Sequence, residues 1–186
     1  MPRVAVVGDS ISAGSPLWDP DPAVRAGIAA PDKRSQWQWW AAQADPSLEF
    51  RTSAVYGERT DQIARRLDFA LGGADVLVVQ GGINDIAQQR PVEDAVRNLE
   101  AMVERGRDEG LAVAVPDVLP WPAGDARAAR EIARLNELIH AIGAVTHLPF
   151  HDTLARAGFD WSDDGDHPSV EGYRLLGECA APLLAG

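Results

Sequence analysis

Lysine is almost missing from this chain of 186 residues. Lys33 is the only one, so 16 of its 17 basic side chains are arginines. We read this as a bias of genome composition, because no chemistry asks for it. Cysteine is equally scarce. The lone Cys179 excludes an internal disulfide, and its apolar neighbours predict a buried, inert thiol. No stretch approaches the roughly 18 apolar residues of a membrane span. Met1-Pro2-Arg3-Val4 runs straight into a strand-like segment and leaves no room for a signal peptide. Positive charge is in deficit, with 28 acidic against 17 basic residues and a formal charge of −11. Such a surface repels phosphate backbones and anionic lipid, so neither nucleic acid nor membrane is an expected partner. The expectation is a cytoplasmic protein. No Gly-x-Gly-x-x-Gly or Walker pattern follows the first apolar run, and Asp9 there would oppose a phosphate, so no nucleotide or flavin cofactor is expected.

What the chain does contain is an alternation of short apolar runs with longer amphipathic segments. Residues 3–7, 48–54, 75–80, 111–118 and 148–151 read as strands. The continuous runs Val4-Ala5-Val6-Val7 and Val76-Leu77-Val78-Val79 suit strands buried on both faces, as parallel sheets covered by helices require. Residues 61–71, 92–107, 126–145 and 169–184 carry helical periodicity, with Ser169 a predicted N-cap. Trp37, Trp39 and Trp40 belong to a further helix, where packing against the sheet is their expected role. The sum is one domain of the α/β class, a three-layer α/β/α sandwich on a five-stranded parallel sheet. Residues 15–34 and 153–168 read as irregular, and long irregular segments in a compact domain tend to serve function.

In open α/β sheets, ligands bind beyond the carboxyl ends of the strands. There stand Gly8-Asp9-Ser10 after the first strand, Tyr56-Gly57 after the second and Gly81-Gly82-Ile83-Asn84-Asp85 after the third. Asp164-Gly165-Asp166-His167-Pro168 precedes the last helix. Acyl transfer needs a nucleophile, a base, a group orienting that base and donors for a developing oxyanion. Ser10 supplies a hydroxyl and His167 a base that works near neutral pH. Asp164 is placed to reach the imidazole, with Asp160, Asp163 and Asp166 as neighbouring alternatives. Gly57 and Asn84 supply a backbone and a side-chain N–H donor. Pro168 restricts the backbone of His167 to extended conformations. Each piece alone is weak, and their joint order carries the weight.

In these four blocks the chain resembles the SGNH (GDSL-type) hydrolase superfamily. Gly8-Asp9-Ser10 matches the first block, Gly57 the second, Gly82-Ile83-Asn84-Asp85 the third and Asp164-x-x-His167 the last. The resemblance implies a flavodoxin-like sandwich, esterase or lipase-like chemistry and no metal. It implies Ser10 as nucleophile, His167 as base and Asp164 as its orienting carboxylate. The oxyanion hole would be the Ser10 and Gly57 backbone N–H groups with the Asn84 side chain. The first block lacks the leucine often found two residues after the serine. Ser12 also breaks the Gly-x-Ser-x-Gly elbow of α/β-hydrolases. The expected substrate is a small ester with a short acyl chain, with Trp18, Trp121 and Trp161 as candidate walls. A carbohydrate O-acetyl deacetylase, an acyltransferase and a non-catalytic ligand-binding module are the alternatives. His140, His147, His151 and Asp152 are of metal-ligating type, but His140 and His147 read better as helix-surface residues.

Overall fold

A computed structural model describes residues 1–14, 33–158, 161 and 165–186. Five strands form one parallel sheet: β1 (Arg3–Gly8), β2 (Glu49–Ala54), β3 (Val76–Val79), β4 (Ala112–Pro116) and β5 (Thr146–Leu148), in the order β2-β1-β3-β4-β5. This is the flavodoxin-like strand order, with its topological switch between β1 and β3. The described helices are α1 (Ser10–Ala13), α2 (Trp37–Ala44), α3 (Thr60–Ala64), α4 (Asp68–Leu71), α5 (Ile83–Ala87), α6 (Val92–Asp108), α7 (Ala126–His140), α8 (Phe150–Arg156) and α9 (Val170–Leu184). None of them is long and apolar enough to cross a membrane.

Strand alternation sorts the core into two layers. Ala5, Val7, Leu77, Val79, Val113 and Val115 face α3, α4, α6 and α7, meeting Ile63, Leu99, Leu135 and Ile139. Val4, Val6, Val78, Ala114 and Leu148 face the opposite way, onto Trp37 of α2, Phe150 of α8 and Tyr173 and Leu176 of α9. Trp37 is fully buried and packs edge-on to Phe50 and Phe150. Trp39 and Trp40 are half-buried.

Helix ends follow local chemistry. Ser169 Oγ accepts from the Gly172 N–H as the cap of α9, and Asp125 caps α7 by accepting from Ala128. Glu93 and Asp94 open α6 while Arg105 and Arg107 close it, matching the helix dipole.

Several boundaries differ from the sequence reading. The fifth strand is residues 146–148 and not 148–151, because Pro149 is the N-cap of α8 and Phe150 turns into the core. His151 and Asp152 therefore lie on a helix. The helix expected over 126–145 stops at His140, since Ala144 adopts a positive φ and residues 146–148 pair with β4. His147 is thus a strand residue. The helix expected over 61–71 splits into α3 and α4, joined by i→i+3 turns through Arg66 and Leu67. Ile63, Leu67 and Leu71 still face the core as their spacing required. Cys179 is half-buried, not fully buried, and accepts from Thr153 Oγ1 at 3.3 Å.

Candidate active site

The first element of the site is a turn wired into the core. β1 ends at Gly8, and Asp9 caps α1 by accepting the Ile11 N–H at 3.0 Å. Ser10 is therefore the first residue of a short helix, 7% exposed. Gln80, the residue after β3, clamps this turn. Its Oε1 accepts from the Asp9 N–H at 3.1 Å and from Ser12 Oγ at 3.0 Å, while its Nε2 donates to Asp9 Oδ1 at 2.9 Å. A Cβ at Gly8 would stand 2.4 Å from Gln80 Oε1, so glycine there is what admits the clamp. Trp37 Nε1 donates to Ser12 Oγ at 3.0 Å. Sequence reasoning misses Gln80. Its one signal is a polar residue ending an otherwise aliphatic buried strand.

Asp9 is fully buried, and one of its oxygens, Oδ2, has no hydrogen-bond partner among the described residues. Burial pushes its carboxyl above the ordinary carboxylate range. The Ile11 N–H, the Gln80 amide and the nearby His167 oppose that rise without cancelling it.

His167 reaches the same turn from 157 residues away. Its Nε2 lies 2.8 Å from Ser10 Oγ, and both side chains are buried. The histidine sits between the Trp161–Pro168 bridge and the cap of α9. Asp166 is engaged elsewhere, its Oδ1 accepting from Trp121 Nε1 at 2.5 Å. Asp164, together with Asp160, Asp163 and Trp18, lies outside the described residues.

The donors expected for an oxyanion lie after β2 and at the start of α5. Residues 55–58 form a turn closed by Glu58 N–H on the Val55 carbonyl at 3.4 Å, with Gly57 at φ +73° in the position that demands glycine. Among the described residues, no acceptor takes the Gly57 N–H or the Ser10 N–H. Asn84 stands in α5, where its Nδ2 donates one hydrogen to the Glu58 carbonyl at 3.0 Å. Gln88 Nε2 holds the Gly57 carbonyl at 3.2 Å. Asp85 locks the second block to the third. It is buried and accepts from the Thr60 N–H at 2.9 Å and Thr60 Oγ1 at 2.8 Å, and burial raises its carboxyl above the usual range.

Beside the turn opens a narrow cleft, part of it facing solvent. Ile11, Gln80, Gly81, Ile83, Asp117, Val118, Leu119, Pro120, Trp121, Phe150 and Asp166 line it. Trp121 is half-buried at this edge. Behind it His140 Nε2 lies 2.7 Å from Asp117 Oδ1, and the His140 and His147 rings meet edge-on at 5.5 Å. Among the described residues, no group of three or more His, Cys, Asp or Glu side chains is arranged to hold a metal ion.

Comparison with known proteins gives a consistent picture. The family described as GDSL-like lipase/acylhydrolase matches residues 6–175. No curated protein matches the chain. Among solved structures, the chain is similar to a member of the lipolytic protein G-D-S-L family from Veillonella parvula DSM 2008. That likeness has 18% identity and a TM-score of 0.78, over 97% of this chain and 96% of that one. It is also similar to Axe2, an acetylxylan esterase from Geobacillus stearothermophilus, at 14% identity and a TM-score of 0.76, over 100% and 94%. A third is the psychrotrophic esterase EstA from Pseudoalteromonas sp., at 16% identity and a TM-score of 0.72, over 100% and 97%. At these identities the likeness is one of fold.

Proposed function

The chain belongs to the GDSL-like lipase/acylhydrolase family, and we propose that within it this protein is a serine esterase for short-chain carboxylic esters, with Ser10, His167 and Asp164 as its triad. The observation that carries the reading is the 2.8 Å approach of His167 Nε2 to Ser10 Oγ at the switch point of the sheet. With the imidazole proton on Nδ1 and directed to Asp164, Nε2 accepts the hydroxyl proton as Ser10 Oγ attacks the ester carbonyl. The carbonyl oxygen becomes an oxyanion and takes hydrogen bonds from the Ser10 N–H, the Gly57 N–H and the remaining Asn84 Nδ2 hydrogen. Collapse breaks the bond to the alcohol, which leaves with the proton from His167. Water then gives a proton to His167 and attacks the acyl carbon; the bond to Ser10 Oγ breaks, His167 returns its proton to that oxygen, and the carboxylic acid leaves.

The short-chain preference is supported by the cleft. The cleft is narrow, and Leu119, Trp121 and Phe150 are among its walls. The aromatic face of Trp121 at its edge also suits a sugar ring, which keeps an O-acetyl sugar as a second reading. The experiment is a p-nitrophenyl ester series from two to sixteen carbons beside acetylated xylose, with fluorophosphonate labelling of Ser10. We expect a kcat/KM maximum at two to four carbons and labelling at Ser10 alone. A maximum at ten carbons or more overturns the short-chain assignment, and activity confined to acetylated xylose selects the sugar reading.

A further inference from the structure

Arg66 stands in the turn between α3 and α4, with its side chain 18% exposed. Its guanidinium binds three separate stretches of chain. Nη2 donates to the Gly8 carbonyl at 2.6 Å. Nη1 donates to the Ser53 carbonyl and to Ser53 Oγ, the latter at 2.8 Å. Nε donates to Glu58 Oε2 at 2.6 Å. Gly8 lies two residues before Ser10. Glu58 directly follows Gly57, and its carbonyl is the acceptor of Asn84 Nδ2. One planar fork therefore ties the end of the nucleophile strand to the turn that carries one oxyanion donor and holds the other. Arginine is the side chain whose rigid geometry can do this; a lysine ammonium offers a single point of attachment. Desolvation offsets much of the attraction in a mostly buried ion pair, so the pair alone is weak evidence for a stabilising role, and the geometry favours alignment.

We infer that Arg66, with Glu58 as its counter-ion, is a positioning residue that sets the spacing between Ser10 Oγ and the Gly57 and Asn84 donors. This inference rests on the esterase reading and names the device that keeps its oxyanion hole in register. Neither side chain is required to touch substrate. The donors act on charge that develops in the transition state, so a displaced frame lowers kcat and leaves KM nearly constant. A misplacement of about 1 Å caused by a distant change costs roughly 100-fold.

The test measures p-nitrophenyl acetate hydrolysis, inhibition by butylboronic acid (which forms a tetrahedral adduct on serine) and Tm. The proteins are wild type, Ser10→Ala, Arg66→Lys, Glu58→Ala and Glu58→Gln. Arg66→Lys should lower kcat roughly 10- to 100-fold, with KM within about threefold and boronate affinity weakened in proportion to kcat/KM. Glu58→Ala should follow it, and Glu58→Gln should recover most of the loss because its amide oxygen still accepts from Nε. An inert wild type, or a Ser10→Ala variant as active as wild type, overturns the esterase reading and the inference with it. An active wild type with inactive Ser10→Ala, and both Arg66→Lys and Glu58→Ala within about twofold in kcat, overturns the inference alone. A loss confined to Tm or to KM does the same. Should Arg66→Lys fail to fold, the two Glu58 variants decide the question.

Discussion

The two halves of the site are built in opposite ways. The nucleophile half is an extension of the core: Asp9 and Ser12 are fully buried, Ser10 and Gln80 nearly so, and side-chain hydrogen bonds from Gln80, Trp37 and Gln38 converge on this turn. The histidine half is delivered by a connecting segment. His167 is held there by the Trp161–Pro168 bridge, the Trp121–Asp166 bond and an Ala123 N–H on the Gly165 carbonyl at 3.3 Å, with Asp166 itself exposed. The contrast marks where stability and the proposed catalysis depend on the same atoms. On the proposed esterase reading, a substitution in the serine half should disturb both, and one at the exposed rim of the histidine half should disturb folding less.

The largest expected effects test whether the halves act as one unit. Ser10→Ala and His167→Ala should each lower kcat by roughly 10⁴ to 10⁶, and by similar factors, because members of a triad fail together. Ester kinetics measure this, and a His167→Ala loss below about tenfold breaks the pairing.

Next comes the acid behind the histidine. Asp164→Asn should cost roughly 10⁴ in kcat, as an orienting aspartate does when its loss favours the wrong tautomer. Asp166→Asn should cost far less, since that carboxylate serves Trp121. If Asp163→Asn or Asp166→Asn proves the more damaging in the same assay, the orienting role moves to that residue.

Asn84→Ala should lower kcat roughly 10²- to 10³-fold with KM nearly constant. A change confined to KM would make Asn84 a substrate-binding residue instead.

Smaller in activity but sharper for the comparison is stability. Gln80→Ala strands the Asp9 N–H and the Ser12 hydroxyl in the core, at roughly 1–3 kcal/mol for each group left unsatisfied. For a domain of this size we expect Tm to fall by at least about 4 °C. Trp121→Phe removes one bond at the exposed rim and should shift Tm by less than about 2 °C. Equal shifts in thermal melts would erase the contrast between the halves.

The smallest effect is a pH dependence. Burial holds the folded Asp9 carboxyl above the ordinary carboxylate range, whereas unfolding returns it to that range. The folded state thus binds this proton more tightly. The stability so gained is complete below the ordinary range and is lost as pH rises through the raised folded value. Wild-type Tm should therefore decline relative to Asp9→Asn across that interval and run parallel to it at lower pH. A wild-type curve parallel to that of Asp9→Asn throughout would mean that Asp9 titrates normally.

Much of this architecture was legible in the chain. The apolar runs at residues 4–7 and 76–79 read as strands buried on both faces, and alternation with amphipathic helices implied a doubly wound sheet. Gly8-Asp9-Ser10, Gly57, Asn84 and His167 could be named because they stand, in order, after strands and before the last helix, where the chain resembles the four blocks of a known family. Periodicity could not separate a helix from the next strand along the chain. Val145 continues the apolar spacing of α7, yet residues 146–148 join the sheet because β4 offers an unpaired edge. Likewise Phe150 turns into a helix because the core behind Pro149 has room for its ring. Gln80 and Arg66 escape a sequence reading for the same reason: their partners lie 71 and 58 residues away. By itself, the sequence determined the layers and the chemical groups, which depend on short-range pattern. The 2.8 Å meeting of Ser10 with His167, the clamp of Gln80 and the span of Arg66 were decided only by the tertiary fold, because hydrogen bonds between distant residues depend on where the packed sheet brings their strand ends together.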